Sequence, residues 1–277
     1  MRNALRSKYY INGFTLIELS IVLVIIGLIV GGVLAGRDLI LGAKRRAIIS
    51  DIEQYKTAVY TFRGKYDAIP GDMANATTYW GALGGGEGSA GSPLTYNGNG
   101  NGLVCDKPAS YSDIPCDDEP MLFWKHLSNA GLINGGFTGT LTNLGWGGLE
   151  IIGQNIPQSR AGENTAYMVF YLCLDNAGTG LSYFKNSFCG HVFTFGGQGN
   201  ATHNWTNLPM FPALSGIDAY DIDRKLDDGK PGTGSVMSEP IGSDFIPNCT
   251  TNTDYTIAAY DMSSPAITCS LMFAGKF

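Results

Sequence analysis

Two apolar patterns follow one another near the start of the chain. From Leu19 to Gly36, 18 residues carry no charge. With Phe14 to Glu18 added, the run suffices for a helix across about 30 Å of hydrocarbon. Beyond it, Ile48, Ile52, Tyr55, Val59 and Phe62 recur at spacings of 4, 3, 4 and 3. That spacing gives one apolar face of an amphipathic helix, with Gly64 as the expected terminator. A helix from Phe14 to Arg63 would hold 50 residues, or roughly 75 Å at the usual rise.

The pattern then changes. The segment from Ala68 to Gly102 is turn-rich, with nine glycines between Gly81 and Gly102, so it reads as a long functional or mobile loop. "PMLFWKHLSNAG" predicts a helix, begun by Asp117, Asp118, Glu119 and Pro120 and stopped by Gly131. "AYMVFYLCL" (166–174), "HVFTFGG" (191–197) and "AITCSLMF" (266–273) are aromatic and β-branched runs bounded by turns, and predict strands. "LEIIG" near 149 is a weaker strand candidate. One long helix followed mainly by loops and strands predicts an α+β class, with an antiparallel sheet packed on the helix. The chain shows no internal repeat and no linker between two domains.

Charge and cysteines narrow the setting. The formal charge is −6 over 277 residues; the first 13 residues hold Arg2, Arg6 and Lys8 and no acid, so the remainder stands at −9. An acidic body argues against a general phosphate-binding surface, and no nucleic-acid partner is expected. The six cysteines are Cys105, Cys116, Cys173, Cys189, Cys249 and Cys269, with no CxxC pair. Beyond a membrane segment they read as disulfides in an oxidising compartment. Fifteen pairings are possible. Pairing sequence neighbours gives Cys105–Cys116, Cys173–Cys189 and Cys249–Cys269; six buried thiols are the alternative.

The amino terminus carries the sharpest chemistry. Gly13, a small residue, precedes the apolar run, where a secretory signal would place its cleavage site after it. Cleavage after Gly13 would remove a basic leader, keep the apolar helix and create a new amine on Phe14. Glu18 then acquires a reason. A carboxylate in a bilayer costs roughly 2.5–3.5 kcal/mol unless paired, and a Phe14 amine on a neighbouring copy at the same depth would pair with it. The plain alternative is a tolerated polar residue near the headgroups of a signal anchor. Arg37, Lys44, Arg45 and Arg46, opposed only by Asp38, leave orientation undecided by charge alone.

"GFTLIELSIVLVIIGLI" resembles the leader and first helix of type IV pilins and type II secretion pseudopilins, with Gly13, Phe14, Thr15, Leu16, Glu18 and Leu19 matching position by position. The resemblance covers about the first 35 residues. It implies cleavage after Gly13 by a prepilin peptidase, N-methylation of Phe14, and a Glu18 that guides assembly into a helical filament. It also implies a pilin-like fold, partner subunits and an inner-membrane assembly platform with its ATPase. The precursor would sit in a bacterial inner membrane with a periplasmic body, later joining a pilus or pseudopilus. The expected organisation is a leader (1–13), a transmembrane and assembly helix (14–36), its amphipathic continuation (37–64) and a globular domain (65–277).

Some relatives carry calcium in a late loop. Here "DAYDIDRKLDDGKPGTGS" (218–235) offers Asp221, Asp223, Asp227 and Asp228 as candidate ligands, beside Asp218. The spacing is not that of an EF-hand. The competing and stronger reading is a helix from Ile217 to Asp228, ended by Gly229 and Pro231. "GKPGTGS" lacks the order of a phosphate loop. His126, His191 and His203 show no metal spacing, and neither GxSxG nor HExxH occurs. Trp80, Trp124, Trp146 and Trp205 are expected in the core before any glycan surface. Three readings follow: a minor or specialised pilin, a secretion pseudopilin, and a membrane-anchored periplasmic enzyme or binding module. The presence of Glu18 disfavours a tip-type pseudopilin, and an enzyme is the least expected.

Overall fold

The computed structural model describes residues 14–85, 88–105, 119–140, 150–173, 188–198, 209–238, 249–252, 254 and 256–277. The chain divides into two units, one ending at Ala43 and one spanning Lys44–Phe277. A single helix, α1 (Leu16–Tyr66), runs through the boundary.

In the first unit no residue from Phe14 to Ala43 is buried. Side chains such as Leu16, Ile25, Leu28 and Val33 are exposed on all sides of the helix. An all-round apolar helix of this kind needs a lipid or protein surround.

In the second unit the predicted face of α1 is buried. Ile48, Ile52, Tyr55, Val59 and Phe62 are joined there by Asp51 and Ala58. Tyr55 packs edge-on against Trp124 at 5.0 Å and Tyr167 at 5.3 Å. These rings belong to α3 (Glu119–Asn129) and β1 (Thr165–Cys173). Each such aromatic or branched side chain contributes roughly 1.5–3 kcal/mol by leaving water. The helix outlasts Gly64 because Tyr66 packs on Phe62 at 4.5 Å and on Trp80 at 5.4 Å. Trp80 closes the short helix α2 (Ala76–Trp80). α1 stops instead at Asp67, whose left-handed φ of 51° turns the chain while its N–H donates to Arg63 O.

The sheet is antiparallel, in the order β1, β2 (Cys189–Gly197), β6 (Leu271–Ala274), β4 (Val236–Met237). Among the described residues the two longest strands are those predicted from "AYMVFYLCL" and "HVFTFGG". The run "AITCSLMF" makes two strands, not one. β5 (Ile267–Cys269) pairs with β3 (Leu214–Ser215) in a separate two-stranded sheet, and the chain then enters β6. Ser270 is the corner, its carbonyl accepting from Ser238 Oγ. In the described part of the "LEIIG" candidate, Glu150–Gly153, no strand forms; Ile151 O accepts from Gln154 N at 2.9 Å in a turn. Helix α4 (Gly216–Leu226) matches the helical reading of the acidic stretch, and Ser215 caps it by accepting from Asp218 N.

Candidate functional site

Thr15 and Glu18 form a closed pair at the start of α1. Glu18 Oε2 accepts from Thr15 N at 2.8 Å and from Thr15 Oγ1 at 2.7 Å, and Thr15 Oγ1 accepts from Glu18 N at 3.3 Å. This is the reciprocal T-x-x-E capping box, in which the first helical turn satisfies its own orphan donors. The acid also lies at the positive end of the helix. Its carboxylate is therefore already held against Thr15, the residue after Phe14. Phe14 is 85% exposed, so this end of the helix is open to a neighbour. Gly13 lies outside the described residues. The capping box is legible in "TLIE", where threonine and glutamate stand three residues apart.

The calcium candidates separate. Asp223, Asp227 and Asp228 converge, with carboxylate oxygens within 4.8 Å of one another. Asp221 does not join them: it faces Arg45 at 3.6 Å, beside the Asp218–Arg45 ion pair at 2.6 Å. The physical reason is helical geometry, since Asp218 and Asp221 share a face of α4 that lies against α1. The three converging acids close the turn that follows α4. Asp223 accepts from Tyr260 OH at 2.8 Å and Gly229 N at 3.2 Å. Asp227 Oδ2 accepts from Ser235 N and Val236 N. Asp228 accepts from Lys230 N at 2.9 Å and Thr233 Oγ1 at 2.6 Å. Gly234 has a left-handed φ of 78°, and a Cβ there would collide with Asp227 Oδ2, so the turn favours glycine. Burial pushes the Asp223 carboxyl up to about 7. Donors of the turn thus reach a carboxylate oxygen of each of the three acids, as a structural turn requires.

His126 and His191 are buried and hydrogen-bonded. His126 Nδ1 accepts from Gly71 N at 3.0 Å, which leaves the ring proton on Nε2, facing Thr95 Oγ1 and Tyr96 O at 3.2 Å. Burial lowers its pKa to about 4, so the ring is neutral at ordinary pH. His191 Nε2 accepts from Val104 N at 3.1 Å, and its Nδ1 faces Phe277 O at 3.0 Å. His203 lies outside the described residues. Trp124 is fully buried and Trp80 stacks on His126 at 5.5 Å; Trp146 and Trp205 lie outside the described residues.

Cys249 and Cys269 are joined by a disulfide, as sequence-near pairing predicted. Cys105 and Cys189 are disulfide-bonded as well. Cys173 stands opposite Cys189 in the β1–β2 register. Cys116 and the side chain of Cys173 lie outside the described part, so the other two predicted bridges do too.

Several anchoring residues escaped the sequence reading. Asp51 is 3% exposed within α1. It accepts from Tyr167 OH at 2.9 Å and Arg160 Nε at 2.5 Å, tying the helix to β1 and the segment before it. Arg45 ties α1 to α4. Glu119, read as part of a helix start signal, is buried and accepts from Asn99 N and Cys105 N. Buried Asp72 accepts from Asn101 N and Gly102 N. An acid within a polar sequence gives no periodic signal of burial.

The chain carries the motif described as "Prokaryotic N-terminal methylation motif", matched over residues 10–34. This supports the resemblance to type IV pilins and pseudopilins, and with it a pilin- or pseudopilin-like role. Processing by a prepilin peptidase and assembly with other pilin-type subunits are what such a motif implies. Helix α1 is long and apolar enough to cross a membrane, consistent with a membrane-anchored precursor. No curated protein and no solved structure matches the chain.

Proposed function

We propose that this protein is a structural subunit of a type IV pilus-like filament, a minor or specialised pilin. The observation that carries the reading is the start of α1. A methylation motif over 10–34 coincides with an unburied apolar helix, and its first turn presents one acid, Glu18, at the positive helix end. In this mechanism the precursor waits in the inner membrane. Prepilin peptidase cuts after Gly13 and Phe14 is N-methylated. The assembly platform and its ATPase then draw the subunit into a helix of copies. Glu18 exchanges its bonds to Thr15 for the Phe14 amine of a neighbour, which fixes the stagger. The apolar faces of adjacent α1 segments replace lipid. The large body, from Lys44 onward, is what specialises the subunit.

Mass spectrometry of the membrane-extracted chain tests the first step. The expected amino terminus is N-methyl-Phe14. An intact Met1 terminus, in cells with an active prepilin peptidase, overturns the reading. Recovery of the processed chain in sheared surface fibres is the expected second result. Retention in a short periplasmic filament, with export of enzymes lost on deletion, would instead assign a secretion pseudopilin.

A further inference from the structure

Three Asn–Gly pairs follow one another: Asn97–Gly98, Asn99–Gly100 and Asn101–Gly102. This dipeptide is prone to self-modification, because glycine has no Cβ to hinder its own backbone nitrogen. The glycine nitrogen bonds to the asparagine Cγ and the Cγ–Nδ2 bond breaks. Ammonia leaves with the proton the glycine nitrogen gives up, and a succinimide ring remains. Water then opens the ring to aspartate or isoaspartate. All three asparagines are exposed, so water reaches them freely.

The fold nevertheless engages both reacting partners in every pair. Gly98 N donates to Met73 O at 3.0 Å, and Gly100 N to Asp72 O at 3.0 Å. Gly102 N donates to the buried Asp72 Oδ2 at 2.9 Å. Asn97 Oδ1 accepts from Thr77 N at 2.8 Å, Asn99 Oδ1 from Asn101 N at 2.9 Å, and Asn101 Oδ1 from Leu103 N at 2.8 Å. Each glycine N–H is spent as a donor, and each asparagine Oδ1 is fixed by another backbone N–H.

We propose that residues 97–102 form a fold-guarded self-modification site, inert while the Asp72 segment holds the glycine N–H groups and converted to aspartate or isoaspartate when it lets go. Conversion to isoaspartate is one-way in structural effect. It lengthens the backbone by a methylene, and around Gly98 the packing leaves little room for it. At Gly98 even a Cβ would collide with Gly71 O and the backbone of Asp72. The loop therefore keeps a chemical record of every long-lived opening of the body.

The test incubates the full chain, purified in detergent, at mildly alkaline pH, with and without urea, and follows Asn97, Asn99 and Asn101 by peptide mass spectrometry. The expected result is conversion at all three positions in urea and conversion at least about tenfold slower in the native chain. In Asp72→Asn, which cannot accept as a carboxylate does, Asn101 should convert about tenfold faster than in the unaltered native chain. Equal rates in the native and unfolded chains would overturn the proposal, as would an Asp72→Asn variant that folds and leaves Asn101 unchanged. If that variant does not fold, amide exchange of the native chain decides. Slow exchange at Gly98, Gly100 and Gly102 is expected, and exchange at the free-peptide rate at these amides overturns the guard.

Discussion

The two halves of α1 share a helix and little else. Up to Ala43 nothing is buried; from Ile48 to Phe62 seven residues are, one of them Asp51. The first half is apolar on every side and carries its acid at the tip, where a capping box holds it. The second half is apolar on one side and buries its acid among donors from β1 and the segment before it. The same secondary structure thus serves two environments. An all-round apolar surface leaves partner choice to lipid or to other copies, whereas a striped surface commits the helix to its own body.

That division can be broken in one half at a time. The largest effect should follow Glu18→Ala, with processing after Gly13 largely intact and incorporation into sheared fibres lost or nearly lost. Normal incorporation, read by immunoblot of the fibre fraction, would remove the pairing role. Ile52→Ala should act on the other half only. It should destabilise the body by about 2–5 kcal/mol in denaturant unfolding, with membrane extraction unchanged.

A third comparison uses pH. His126 is neutral in the fold, with its pKa held near 4 by burial, against about 6.5 in an unfolded chain. Its contribution is complete above the unfolded value and disappears as pH falls toward 4. Relative to His126→Gln, the unaltered body should lose about 3 kcal/mol between pH 7 and pH 4. Asp223 and Glu150, both raised to about 7 by burial, shift stability the opposite way over this range. They are common to both chains and cancel in the difference. An identical pH dependence would mean that the ring is not held as described.

Smaller effects sharpen the picture. Thr15→Ala removes the side chain of the capping box and should weaken the first turn by about 1 kcal/mol, visible as faster amide exchange at Glu18 and Leu19. Chelation of calcium should leave the melting temperature of the body within about 1 °C, because turn donors already hold the acids after α4. A calcium-dependent rise of several degrees would return those acids to a metal role.

Elements with a period or a strong stop were legible. The apolar stretch, the striped continuation of α1, α3 with its Gly131 stop, β1 and β2 could all be read from residue spacing. The end of α1 could not. Gly64 is a weak helix former, yet the contacts of Tyr66 with Phe62 and Trp80 stabilise a further turn. The run 266–273 looked like one strand because its composition is uniform, while the change of sheet at Ser270 depends on which neighbours offer backbone partners.

By itself the sequence determined the features that act locally: the processing motif, the apolar helix, the face of α1 that seeks a core, and the acid at its tip. Only the tertiary structure decided which charges are partnered. Asp221 left the acidic cluster for Arg45, Asp51 found Tyr167 and Arg160, and Asp72 and Glu119 came to hold the glycine-rich loop. The reason is that a carboxylate can be buried only where donors from distant segments converge on it, and that convergence has no period along the chain.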